Sequence, residues 1–472
     1  MKFRIETEHL VPSTGVATAD FVTFDGRIIP TVSKLNGNLL ECTRSQTDSS
    51  KLRILCNLGD RRTIVQTTSL PEAPEPYNLE TELARGELSR LRHFYHLWTG
   101  SGLRSTDALD LQVARAHERF RSGVFGADAA AVCLEAIHLT HQAMDLLGEL
   151  YTRQRITYRQ QRTQRFPMFV GCRLVQPPVR EQYFLDAFNS VMIATRWADL
   201  EPRDGDYSWE RLDQLVDWAI EHRLFAIGGP LLDLSTDAFP DWITPWKSDP
   251  LNLECFVSDF VETVVSRYVG RIRHWEVVSG ANCGGVGDLT EEQRLNLVVR
   301  AIEAAQQVDE QIQISLRVIQ PWGEYLGAMR NRLPPIQFID TLRRSGAKVS
   351  EVNLEIRFGT SPLCSLHRDI LGISQLLDHW SMLQLPVNVM ASLPEPTETL
   401  DFISRVQWQI EQMDDFLLMC LSKERVTGFY CLNWADRTAP DEPLVDPENS
   451  LHPVVSDFSA LERTHWPATG PR

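Results

Sequence analysis

The chain has 472 residues, 43% hydrophobic and 23% charged, with 47 Lys and Arg against 63 Asp and Glu and a net charge of -16. This balance excludes a largely disordered chain and argues against nucleic acid as a partner, because phosphate binding is driven by clustered Lys and Arg. The opening MKFRIETEHLVPSTG lacks the apolar run of a secretory leader, and no apolar stretch reaches the roughly 18 residues that span a bilayer, so the expectation is a cytoplasmic protein with no membrane partner.

Residues 1–72 alternate β-prone runs with turn signals at Asp25-Gly26, Asn36-Gly37 and Gly59-Asp60, which predicts a small antiparallel sandwich-like module. Pro71, Pro74 and Pro76 then read as a stiff linker ending at an N-cap, Asn78. Over 77–162 the period becomes helical: Leu79, Leu83, Leu91, Tyr95 and Trp98, then Leu109, Val113, Ala116 and Phe120, then Leu134, Ile137, Met144 and Leu147 predict three helices. His138 and His141 lie one turn apart without carboxylate partners in sequence and read as ordinary helix histidines. The arginine-rich YTRQRITYRQQRTQRF reads as a solvated helix terminus.

From 165 to 466 eight short apolar runs, FPMFVGCRL, FNSVMIATRW, RLFAIGGPLL, IRHWEVVSG, IQISLRVIQ, SEVNLEIRFG, LPVNVMASL and VTGFYCLNW, alternate with amphipathic stretches such as SWERLDQLVDWAIEH and TEEQRLNLVVRAIEAAQQ. The rhythm predicts an α/β fold, a (β/α)8 TIM barrel with any active site at the C-terminal strand ends. The nine cysteines are scattered, with no CxxC and no Cys/His cluster, so reduced buried thiols are expected, and neither a metal nor a cofactor is implied. Cys283 would be a nucleophile only with a His beside it; a passive thiol is the plainer reading.

The words FNSVMIATRWADLEPRDGDYSWERLDQLVDWAIEHRLFAIGGPLL, FPDWI and VVSRYVGRIRHWEVVSG resemble the barrel of glycoside hydrolase family 10, the endo-1,4-β-xylanases. LEPRDGDYSWERLDQLVDWA is the most specific piece, and the likeness extends to PLVDPENSLHPVVSDFSALE without covering the first 160 residues. The resemblance implies a retaining mechanism with two glutamates, an acid/base at the end of strand four and a nucleophile at the end of strand seven, which must flank one bond about 5–5.5 Å apart. At those places this chain has Gly280 and Ala391. Gly229, Asp233 and Leu234 stand where the family has sugar-binding Gly-His and Trp-His, and Ser279 replaces an Asn. After strand two Arg196 keeps the positive charge of the family's usual Lys and Trp197 follows it, and Leu432 or Asn433 falls at a Trp position near Asp436.

Remaining candidates at strand ends are Glu276 and Glu355 as a relocated acid pair, and Arg196, Trp197, Asp233, Asn282, Trp322, Glu324, Arg357, Asn433 and Asp436 as ligand contacts. Buried acids must be partnered, so the plainer reading pairs Glu276 with Arg273 or Arg317, and Glu355 with the neighbourhood of Arg357. Strand counting puts Glu355 on strand six, away from the nucleophile strand. Three functions follow. The barrel binds an oligo- or polysaccharide or a protein partner without hydrolysis; or it hydrolyses β-glycosidic bonds with the relocated pair; or it is a scaffold whose residues 1–162 meet a protein partner.

Overall fold

The computed structural model describes residues 1–465 except 24, 25, 45, 60, 125, 127, 164, 165, 167, 236, 237, 286–288, 329, 330, 360, 397–399, 447 and 449. Asp25 and Asp60 of the anticipated turns, and the barrel limits 165 and 466, lie outside the described residues.

The N-terminal runs form two four-stranded sheets. One holds Thr31–Asn36, Leu39–Arg44, Lys2–Arg4 and Tyr77–Asn78, and the other Ile28–Ile29, Asp20–Val22, Lys51–Leu58 and Arg61–Gln66. In the hairpin of the first sheet Asn36 pairs with Leu39, so the two-residue turn is Gly37-Asn38, one residue beyond the anticipated pair; Gly37 takes φ +61 as such a turn demands. The segment after the prolines does not stay a linker throughout, since Tyr77–Asn78 pairs in parallel with Lys2–Arg4. Asn78 then caps the first helix by accepting from the Thr81 amide at 2.9 Å.

Three helices follow, α1 (Leu79–Gly100), α2 (Asp107–Gly123) and α3 (Ala129–Arg162). Leu79 and Leu83 of α1 and Cys133 and Ile137 of α3 close the core of the two sheets, while Leu91, Ala143, Met144 and Leu147 pack with Leu371 of the barrel.

The apolar runs after 166 become eight parallel strands, β1 (Phe169–Leu174), β2 (Ser190–Ile193), β3 (Phe225–Gly228), β4 (His274–Ser279), β5 (Gln313–Ile319), β6 (Glu351–Ile356), β7 (Val387–Ala391) and β8 (Val426–Cys431). β8 pairs with β1, Cys431 opposite Cys172, so the sheet closes into a (β/α)8 barrel. Helix starts are specified locally: Asp249, Thr290, Asp369 and Asp401 each accept a backbone amide three residues on, and Thr290 with Gln293 completes a capping box. Outward residues such as Trp275 and Val277 join the helix layer in the main core.

Inside the barrel the two halves differ. Phe169, Met192, Phe225, Ile227, Met390 and Tyr430 make an apolar plug, with Phe169 stacked on Phe225 at 3.7 Å. β4 to β6, with Asn388 of β7, fill the rest with polar side chains, spaced two apart on β5 at Ser315 and Arg317 and on β6 at Glu351, Asn353 and Glu355, the strand period for one face. The front part of the chain docks on the barrel through Arg90, which is ion-paired with Asp369 at the start of Ile370–Ser381, and through Ile28 against Tyr325 and Leu326 in the loop after β5. No described helix is long and apolar enough to cross a membrane.

Candidate functional site at the barrel mouth

The polar half of the barrel is built from residues two apart on neighbouring strands. Glu276 on β4 is 0% exposed, and its carboxylate meets the Arg317 guanidinium of β5 at 2.6 Å and the Asn353 amide of β6 at 2.5 Å. The same guanidinium donates to Glu355 of β6 at 2.9 Å. Below them Asn353 donates to Ser315 at 3.1 Å, Asn388 of β7 donates to Asn353 at 3.0 Å and to Glu351 at 2.7 Å, and Glu351 meets His274 at 3.0 Å. A ladder of hydrogen bonds thus runs up the barrel axis to the strand ends.

At the top Glu355 lies 3.4 Å from Arg357, which also reaches Asp441 at 3.0 Å, and across the mouth Arg173 of β1 donates to Asp436 at 3.4 Å. Desolvation works against ionisation of Glu355, but Arg357 and Arg317 outweigh it and hold its carboxyl below the usual range. Glu276 is pushed the other way, because complete burial outweighs the help of Arg317 and Asn353. Burial lowers Arg173, with Arg317 and Arg357 adding like-charge repulsion that Asp436 only partly offsets.

Of the residues singled out from sequence, Glu276, Glu355, Arg357 and Asp436 come together around Arg317 and Arg173. Arg357 and Arg173 keep 24% and 22% side-chain exposure and Asp436 13%, which leaves the β1, β6 and β8 side of the mouth partly open. The opposite side is filled. Gly280 has φ +71, and a Cβ there would stand 2.4 Å from the Cβ of Ser235, in the segment after Asp233. Asp233 itself accepts from the Ser235 amide at 3.0 Å, and Leu234 is buried. Ala391 is buried at the end of β7.

Other candidates take structural positions. Trp197 is buried, stacked on Phe260 at 4.5 Å and donating its indole N–H to Glu201, so it belongs to the core rather than to an open platform. Arg196 is exposed beside Asp199 at 3.7 Å. Asn282 ties the loop after β4 to β5 by donating to the Ile319 carbonyl at 2.7 Å and accepting from its amide at 3.2 Å. Trp322 lies beneath the Arg368 guanidinium, 5.4 Å from its centroid, and Glu324 accepts from Arg368 at 3.0 Å. Asn433 braces its own loop by donating to the carbonyls of Asp436 and Asp441. Burial pushes the Cys283 thiol up, which suits a passive thiol.

Sequence reasoning missed Asn353 and Asn388 in the ladder and Arg173 and Asp441 at the mouth. Glu351, Asn353 and Glu355 stand at i, i+2 and i+4 of β6, an alternation that was legible in EVNLEIR and marks one face of a strand.

Residues 159–296 match the family model described as glycosyl hydrolase family 10. The barrel is similar to that family. Curated relatives include endo-1,4-beta-xylanase B of Thermotoga neapolitana, 28% identical over 109 residues that make up 22% of this chain and 31% of the relative. Endo-1,4-beta-xylanase C of Paenibacillus barcinonensis is 29% identical over 108 residues, 21% of this chain and 10% of the relative. The chain therefore spans less than a third of the length of these relatives. Among solved structures, xylanase 10B of Thermotoga maritima superposes with a TM-score of 0.51 at 15% identity, covering 63% of this chain and 96% of that one. A family 10 endoxylanase from a sugarcane soil metagenome gives 0.50 at 14% identity, covering 62% and 97%. These likenesses establish the fold of the barrel.

Proposed function

We propose that this is a carbohydrate-active barrel that has kept the family 10 scaffold, has lost retaining hydrolysis, and binds a glycan at the partly open side of its mouth. The observation that carries this reading is the single Arg317 guanidinium held between Glu276 and Glu355. A retaining pair needs one protonated and one ionised carboxyl facing the same bond, with access for the sugar. Glu276 has no solvent access, and both carboxylates spend their oxygens on Arg317, Asn353 and Arg357. Gly280 and Ala391, which the resemblance aligns with the acid/base and nucleophile, offer no carboxyl in their place. The family match includes Gly280 and ends before β7, so the alignment of Ala391 rests on strand order.

The glycan half of the reading rests on the family likeness together with Arg173, Arg357 and Asp436, polar groups suited to sugar hydroxyls that retain solvent access. Isothermal titration with xylo-oligosaccharides tests it, alongside a reducing-sugar assay. Binding without turnover, weakened in Arg357→Ala, supports the proposal; turnover abolished in Glu276→Gln, Glu355→Gln overturns it. The alternative is a scaffold role in which residues 1–162 meet a protein partner. Silence on a glycan array alongside a stable complex with a protein partner would select that reading.

A further inference from the structure

Away from the mouth, a cavity of about 1020 Å³ lies between α3 and the barrel helix Phe402–Ser422. It runs along α3 from His141 to beyond Ile156, and with a rise of 1.5 Å per residue those fifteen steps extend roughly 22 Å. Asp145 and Glu149 line one wall, and Glu411 and Asp415 line the other. Ile156, Ile373 and Phe416 give it an apolar floor, and Trp408 presents a half-buried indole.

The basic groups on its lining are already engaged: Arg153 with Glu149, Arg368 with Glu324 and Arg62 with Asn57. Among the described residues no ion pair joins Glu411 or Asp415 to a base. Partial desolvation, followed by the charges of Asp145, Glu149 and Glu411, pushes Asp415 up to about 6. A second observation is independent of the acids. Thr63 and His141 also line the cavity, both only 3% exposed, and the Thr63 hydroxyl and the two His141 ring nitrogens make no hydrogen bond; the closest charge to His141 is Glu87, at 3.5 Å. Buried polar atoms in native structures are almost always hydrogen-bonded, so atoms like these point to a missing partner.

We infer that this groove binds a linear aliphatic polyamine, with ammonium groups against Glu411 and Asp415 and methylene segments on the apolar floor. The chemistry matches on each count. An ammonium only donates, and carboxylates and a threonine hydroxyl accept. The Trp408 face adds a cation–π surface. A peptide would bring carbonyl acceptors into a wall whose guanidinium donors are already committed.

The test is calorimetric titration of the full chain with spermine at low ionic strength, with Trp408 fluorescence as a second signal. One site is expected, weakened about tenfold or more in Glu411→Gln, Asp415→Asn through lost charge-assisted hydrogen bonds, and weakened in Thr63→Val, with unchanged circular dichroism in each. Three results would overturn the assignment: no spermine binding, equal binding by wild type and the carboxylate variant, or capture of a lysine-rich peptide by a protein indifferent to spermine.

Discussion

Replacing Arg317 with Met should strand Glu276 in the barrel interior and leave Glu355 with Arg357 alone. The wild-type guanidinium is 5% exposed and bonds Glu276 and Glu355, which are 0% and 2% exposed, so no water takes its place when it is removed. Breaking a buried pair in this way costs about 3–5 kcal/mol, much of it the desolvation of charge left unpaired. The pH dependence has a sign. Glu355 is depressed in the wild type, so it contributes stability that is present above its unfolded pKa and lost as pH falls through its folded value. Without Arg317, Glu276, which burial already raises, keeps only Asn353, while Glu355 loses one of its two arginines and keeps Arg357; Glu276 then lowers stability as pH climbs above the ordinary glutamate range, and acidification restores it. Urea unfolding at mildly acid and neutral pH should therefore show a deficit in Arg317→Met that is largest at neutral pH. The triple variant Arg317→Met, Glu276→Leu, Glu355→Leu should recover most of the loss, since it leaves no orphaned charge. A single variant within about 1 kcal/mol of wild type at neutral pH, or a deficit that grows on acidification, would refute the reasoning.

Placing a carboxyl at the end of β4 by Gly280→Glu should give no hydrolysis and should lower stability by about 1–3 kcal/mol, since a Cβ there meets Ser235 and φ is +71; reducing-sugar release and thermal unfolding check this. Arg90→Met should loosen the front of the chain from the barrel. Asp369, held low despite its burial by the Arg90 charge, makes this contact one that is present at neutral pH and lost in strong acid, so hydrogen exchange should rise at the start of Ile370–Ser381 in the variant. Trp197→Ala should cost about 3–5 kcal/mol as a core cavity, while the affinity of the folded protein for any glycan stays unchanged; calorimetry separates the two effects.

The barrel was legible because its strands are buried on both sides and its helices carry an apolar stripe and a capping residue, features written in local sequence. The acid–arginine contacts at its mouth were partly legible, since Arg317 and Arg357 were the natural partners for Glu276 and Glu355. That Arg317 serves both acids was hidden, because the contact joins β4, β5 and β6 across 38 residues and more. Arg173 and Asp441 were missed for the same reason, being far apart in sequence and adjacent only when β1 and the loop after β8 meet. Trp197 was misjudged because its place after β2 says nothing of whether its ring turns toward Phe260 or toward solvent. The packing of Ile28 on the loop after β5 left no local signal, being a single apolar contact between distant segments.

The most direct measurement is release of reducing ends from xylo-oligosaccharides by the wild-type protein beside Glu276→Gln, Glu355→Gln, both verified as folded. The account predicts no turnover from either protein, together with measurable oligosaccharide binding by the wild type. Turnover by the wild type that vanishes in the double variant would contradict it, and would mean that the acids around Arg317 form a working catalytic pair.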